Sequence, residues 1–234
     1  KAKDSEKNKK VRWAPEVVPY LDANRHKVHE YLTICSDIKI QPTASTPLSG
    51  LNGITGLESC IVGHPRVHLD SLPVLDGYPS KLICSTGSIT VPNYTDTKSG
   101  AKGEFNHQYG FVVVELDGDI YHMRQIQSGD DGIFYDLKFE IKNGKVKVSE
   151  TPPLGIVFGD LHIGEEDRDA VDVSFKMCND LNIKRVVLHD VFNGHSISHH
   201  EQKDPFILME REVDGTNYLK EEIKQMKNWF KAKP

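Results

Sequence analysis

The sequence predicts an α/β region over residues 151–234, preceded by a β-rich α+β region over residues 1–150. Two observations carry the first part. The apolar runs Val157-Phe158 and Val186-Val187-Leu188 each end in a polar cluster, Gly159-Asp160-Leu161-His162 and His189-Asp190, and an amphipathic stretch lies between them. That is the pattern of a β-α-β unit, and roughly thirty residues between the two aspartates is a fair length for one. A third observation carries the second part. Between residues 66 and 149, short runs rich in Val, Ile, Phe and Tyr alternate with turn signals such as Asp117-Gly118-Asp119 and Asn143-Gly144.

Taken in order, the chain opens on a basic arm, Lys1, Lys3, Lys7, Lys9, Lys10 and Arg12. Helices are expected over 13–21, shortened by Pro15 and Pro19, and over 25–32. Strands are expected over 66–69 and 81–90, over 111–116 paired with 120–127, and over 134–141 paired with 145–149. Paired prolines make residues 149–153 a linker. Past it, a strand leads into Asp160, and a helix over 165–181 sets Val171, Phe175, Cys178 and Leu181 at helical spacing. Its acidic start, Glu165, Glu166 and Asp167, suits the positive end of a helix. This helix is the crossover that would make the strands ending at Asp160 and Asp190 parallel. A last helix carries Leu219, Ile223, Met226 and Phe230 as a core stripe, with Lys220, Lys224, Lys227 and Lys231 on other faces, available to a nucleic-acid path.

Composition sets bounds. At 234 residues and 38% hydrophobic content the chain has material for one large or two modest cores. A net charge of -5 gives no overall attraction for DNA, so a DNA partner would depend on local basic patches and bound cations. Cys35, Cys60, Cys84 and Cys178 lack the spacing of zinc knuckles and fit a reducing cytoplasm better than a disulfide framework. Neither a membrane-length apolar run nor a signal-peptide pattern occurs, so a cytoplasmic location without a membrane partner is expected.

The chemistry is expected at the strand ends. On an extended backbone Asp160 and His162 point to one face, while Leu161 points away toward apolar cover. Asp190 emerges at the same carboxyl edge, where open α/β sheets place their ligands. An ordinary strand-to-loop turn with a capping Asp would use the same residues; the second strand-end aspartate favours a metal site. Mixed Asp and His donors suit manganese, iron or zinc better than calcium. The following loop offers His195, His199 and His200 beside Ser196, Ser198, Glu201 and Lys203. Such histidines act as catalytic acids or phosphate contacts, or sit in a merely polar surface loop. His189 would orient Asp190. Residues 63–68 and the stretch Ser85-Thr86-Gly87-Ser88, continuing to Tyr94, Lys98, Lys102 and His107, either cradle a phosphate backbone or supply turns, and turn geometry is the preferred account.

Gly159-Asp160-Leu161-His162 resembles the Asp-x-His motif of the calcineurin-like metallophosphoesterases, which include the SbcD-type nucleases. Asp190 with Asn193 resembles their Gly-Asp-x-x-Asp motif, with His189 in place of Gly and Asn193 in place of the second Asp. The resemblance implies the first half of a sheet-and-helix fold with two divalent metal ions, manganese first and Mg, Fe or Zn as alternatives. Asp160 and His162 would hold one ion and Asp190 would bridge both, with His189, Asn193 and Ser198 as phosphate contacts or supports. It covers residues 152–234, and the family's later Asn-His motif does not occur. A fragment with weak or absent hydrolysis of its own is therefore expected, unless Ser198-His199-His200-Glu201 or a neighbouring chain completes the site. The segments Val91-Pro92-Asn93-Tyr94-Thr95-Asp96-Thr97-Lys98 and Phe105-Asn106-His107-Gln108-Tyr109-Gly110 are similar to an early protein of large virulent tailed phages that takes part in destroying host DNA. The expected function is thus a metal-dependent phosphodiesterase, a DNA nuclease with a metal-activated hydroxide, working as a homo-oligomer in the host cytoplasm. Residues 1–150 would position substrate or assemble subunits. A nucleotide phosphomonoesterase and a non-enzymatic takeover protein binding DNA or a host protein are the alternatives.

Overall fold

The computed structural model describes residues 16, 18–151, 153–194, 197–199, 203–206, 208–209 and 218–232. The chain is a mixed α/β protein with several sheets, and it divides into two compact units, Lys1–Lys147 and Val148–Pro234. The division falls just before the proline-containing stretch expected to be a linker. No helix among the described residues is long and apolar enough to cross a membrane.

In the first unit, β1 (Arg25–His29) and β2 (Leu32–Cys35) form an antiparallel pair. β3 (Ser59–Val62) runs parallel to β2, β5 (Lys81–Ser85) runs parallel to β3, and β4 (Leu69–Leu72) closes the sheet antiparallel to β5. The sheet order is β1-β2-β3-β5-β4. Helix 25–32 is thereby corrected to a hairpin. Val28 and Leu32 stand four residues apart, which imitates a helical stripe, but both pack into one face of a sheet that the local sequence cannot reveal. Ion pairs tie the first strand down, Arg25 to Asp37 at 2.8 Å and Lys27 to Glu58 at 2.8 Å. The strand expected over 66–69 forms three residues later, and that expected over 81–90 stops at Ser85, where Thr86-Gly87 turns the chain.

Strand parity divides the core into two layers. Cys35, Cys60, Val62 and Ile83 face Leu48 and Leu51 from the long connection after β2. On the opposite face Leu32, Ile61 and Cys84 meet Val112, Val114, Tyr121 and Met123. These last four come from the hairpin β6 (Gly110–Asp117) and β7 (Ile120–Gln127), paired in full register around Gly118-Asp119. All four cysteines are free and buried, and desolvation of its thiolate pushes the Cys84 thiol up to about 12, so it packs as an inert small hydrophobe. The expected strand 134–141 breaks at Leu137, whose φ is +52°, into β8 (Phe134–Asp136) and β9 (Phe139–Lys142). β9 is followed by β10 (Lys145–Val148) across Asn143 and Gly144, both left-handed, as the tight turn requires. Arg124 spans Glu115 and Asp136, tying the hairpin to β8.

Helix α1 (Lys98–Phe105) is not foreseen by periodicity, because Gly100 and Gly103 weaken its propensity. Thr97 caps it, accepting from the Gly100 N–H at 3.0 Å. The glycines are needed for close packing: a Cβ on Gly100 would lie 1.8 Å from the Thr95 carbonyl oxygen. Gly100→Ala, which in an open helix stabilises by about 1 kcal/mol, should here destabilise by roughly 1–3 kcal/mol. Urea denaturation followed by circular dichroism reads the sign; a stabilised variant would refute the close contact.

In the second unit β11 (Ile156–Asp160) and β12 (Val186–His189) are parallel neighbours, joined by helix α2 (Arg168–Asp180). α2 begins later than the expected 165, because Asp167 is its cap, accepting from the Ala170 N–H at 3.0 Å. It ends where Asn182 turns left-handed and the Ile183 N–H reaches back to Cys178 at 2.8 Å. Phe158 stacks on Phe175 at 5.6 Å, and Phe175 meets Trp229 edge-on at 5.9 Å. Trp229 belongs to helix α3 (Tyr218–Ala232). The stripe of α3 is corrected by this contact: Trp229 turns inward, whereas Phe230 is half exposed. Lys220, Lys224, Lys227 and Lys231 are exposed as expected.

Candidate metal centre

The site is assembled by the register of two short strands. Ile156 and Val157 lie opposite Val186 and Val187, and the next pair is Asp160 with His189. Phe158 and Gly159 on β11 therefore face Leu188 alone on β12. This bulge is what sets Asp160 beside His189 at the carboxyl edge. Gly159 suits the bulge, and a Cβ there would meet open space on the exposed side.

Beyond the strands the backbones stay paired for three more hydrogen bonds. Leu161, His162 and Ile163 donate to the carbonyls of His189, Asp190 and Val191 at 3.1, 2.9 and 3.1 Å. Leu161 and Ile163 are buried and anchor the segment. Between them the chain kinks: His162 has φ +42° and Asp190 φ +37°, conformations that residues with a Cβ adopt at a cost. Two left-handed residues bonded to one another across strand tips are the strained point of this unit, and strain of this kind concentrates at functional sites.

Asp160, His189 and Asp190 come together there. One donor atom from each lies within 4.8 Å of the other two, the one such three-residue group among the described residues. His189 Nδ1 stands 3.7 Å from Asp160 Oδ1 and 3.9 Å from Asp190 Oδ2. All three side chains are open to solvent, so an ion could enter without any rearrangement of the core.

His162 is placed differently from expectation. β11 ends at Asp160, so alternation along an extended backbone does not carry His162 onto the same face, and it does not join the three-residue group. Its Nδ1 is buried without a hydrogen-bond partner, an unusual state for an imidazole nitrogen. With Asp160 it borders an open cleft of about 550 Å³ whose other walls include Glu165, Glu166, Asp167 and Asn193. Sequence alone assigns the acids before α2 to the helix start. Asp167 does cap the helix and Glu166 accepts from the Gly164 N–H, yet both also line the cleft.

Of the loop residues expected to act, His195 and His200 lie outside the described residues. Ser198 is half-buried and His199 exposed, and neither joins the group. In the first unit the histidines of the two polar segments are held by hydrogen bonds within the fold. His64 Nε2 donates to the Gln41 carbonyl at 3.0 Å and its Nδ1 accepts from the Arg66 N–H at 3.0 Å. His107 bridges the Tyr94 hydroxyl and the Thr90 carbonyl, at 2.9 and 2.8 Å.

No family model matches the chain, and no solved structure does. Among curated proteins it is similar to Protein A1 of Escherichia phage T5, with 28% identity over 199 residues, 80% of this chain. The matched part is 36% of that protein, so the chain spans about a third of its relative's length.

Proposed function

We propose that this chain carries the ion-binding part of a metal-dependent phosphodiesterase acting on DNA. The observation that carries it is the convergence of Asp160, His189 and Asp190 at the carboxyl edge of a β-α-β unit. The donors suit the role: two carboxylates and an imidazole are ligands for manganese, iron or zinc, and manganese comes first by the resemblance to SbcD-type nucleases. Asp160 also borders the open cleft whose wall holds His162 and Asn193, which gives a phosphate group room beside the ion. One ion is supported by these residues; a second, with Asp190 between the two, belongs to the proposal.

Bound divalent ions would supply a low-pKa water and a sink for charge on the phosphoryl oxygens. The chain's own residues do the rest. Asp160 and Asp190 hold the cation, and the Asn193 amide, in the cleft wall, donates to a phosphoryl oxygen. Ser198 and the histidines at 195, 199 and 200 contact phosphate or deliver a proton to the leaving oxygen. Glu165 and Glu166 repel a polyanion from the cleft, so DNA binding depends on the cation, in keeping with a net charge of -5. Similarity to a phage T5 protein supports a phage protein; action in the host cytoplasm belongs to the proposal. Residues 1–147 serve assembly or substrate placement, and a homo-oligomer completes the reading.

The test is titration of the protein with Mn²⁺, followed by incubation with plasmid DNA, a diester and a monoester of p-nitrophenol. Stoichiometric binding is expected, with weak or absent cleavage by this chain alone and any cleavage stopping on adding EDTA. A protein that takes up no divalent ion, or whose cleavage persists in EDTA, overturns the proposal. Cleavage of the monoester in preference to plasmid DNA and the diester overturns the DNA reading.

A further inference from the structure

We propose that His189 is a direct ligand of the cation through Nδ1, making the set Asp160–His189–Asp190 rather than Asp160–His162–Asp190. This rests on the ion-binding reading above and assigns its third donor. Sequence alone casts His189 as a group that orients Asp190, which a hydrogen bond would have to do. The distances speak against that part: 3.7 and 3.9 Å to the two carboxylates are too long for a hydrogen bond to either. They fit a different relation. Donors bound ~2.1 Å from a shared ion stand roughly 3–4 Å from one another. His189 Nδ1 keeps such a separation from one oxygen of each carboxylate, and one donor atom from each residue lies within 4.8 Å of the other two, so rotation of exposed side chains would close all three on one cation.

The position is fixed by topology. Asp160 and His189 are register partners, brought level by the Gly159 bulge. Leu188 on the preceding position of β12 is partly buried, so alternation turns His189 to the open side. Asp190 follows at once with φ +37°, a turn that brings its carboxylate back to the imidazole instead of across the sheet. His162, after its own left-handed turn, keeps its buried Nδ1 outside the group. The consequence is chemical. A nitrogen donor beside two carboxylates moves preference from magnesium toward manganese, iron and zinc, whereas two carboxylates alone favour hard oxygen-seeking ions.

The experiment is pulsed electron paramagnetic resonance of Mn²⁺ bound to the wild-type protein and to His189→Gln, His189→Asp and His162→Gln, with Mn²⁺ and Mg²⁺ affinities measured alongside. At 65% side-chain exposure His189 can be changed without disturbing a core, and circular dichroism checks the fold. The expected result is ¹⁴N modulation in the wild type and in His162→Gln, lost in both His189 variants. Mn²⁺ affinity should fall about 10- to 100-fold in His189→Gln and recover in part in His189→Asp, which restores a donor. Mg²⁺ affinity should fall less. If the modulation survives in His189→Gln, or vanishes in His162→Gln alone, the assignment is wrong while the ion site stands. If the wild type binds no Mn²⁺, the function proposed above fails first.

Discussion

Asp190→Asn is expected to lower Mn²⁺ affinity about 100-fold or more, since altering even the groups that merely support ligands costs 10–100-fold. Any phosphodiester cleavage should fall with it. The substitution is chosen for what it preserves. Asp190 sits at φ +37°, and Asn is among the few residues with a side chain that tolerate the left-handed region. Its carbonyl still accepts from the His162 N–H at 2.9 Å, so the strand-tip pairing persists. What is lost is one negative charge at a point where two carboxylates and an imidazole meet. Calorimetric titration with Mn²⁺ reads the affinity, and an unchanged thermal transition confirms that the fold is intact. Wild-type affinity in this variant would remove Asp190 from the site. Asp190→Ala is the poorer probe, because it adds backbone strain to the loss of the ligand.

Leu32→Ala is expected to have the largest effect on stability, about 3–4 kcal/mol, within the range for truncating a fully buried leucine. Leu32 is 0% exposed and lies between Ile61 and Cys84 of the sheet and Val112, Val114, Tyr121 and Met123 of the β6–β7 hairpin. Truncation leaves a void walled on both sides by hydrogen-bonded strands, which cannot move together to fill it. Chemical denaturation gives the number from the shift in midpoint at constant slope. A loss below about 1 kcal/mol would mean that the hairpin does not cover this face.

Structure set by near neighbours was legible in the sequence. The β6–β7 hairpin follows from alternation on either side of Asp117-Gly118-Asp119, and the Asn143-Gly144 turn from the backbone freedom of those two residues. The β-α-β unit of the second region follows from two apolar runs and an amphipathic stretch, and Leu161 is buried. Where several partners fit one local pattern, expectation failed. Residues 25–32 carry a spacing that suits helix and hairpin alike, and burial against β3 and the β6–β7 pair decides for the hairpin. α1 has two glycines and no apolar stripe; it exists because the Tyr94-Thr95 segment packs against it closely enough to exclude a Cβ. Trp229 and Phe230 are adjacent in sequence, and contact with Phe175 selects the tryptophan.

The candidate site divides along the same line. The sequence by itself determined that Asp160 and Asp190 end neighbouring parallel strands, because hydrophobic runs and the length of a crossover specify strand order and direction. Only the tertiary structure decided which imidazole stands between them. Side-chain direction at a strand tip depends on a single bulge and on two left-handed residues, and one residue of register exchanges the two faces. Opposing Phe158 and Gly159 to Leu188 alone raises His189 level with Asp160, and the turn at His162 carries the other imidazole away.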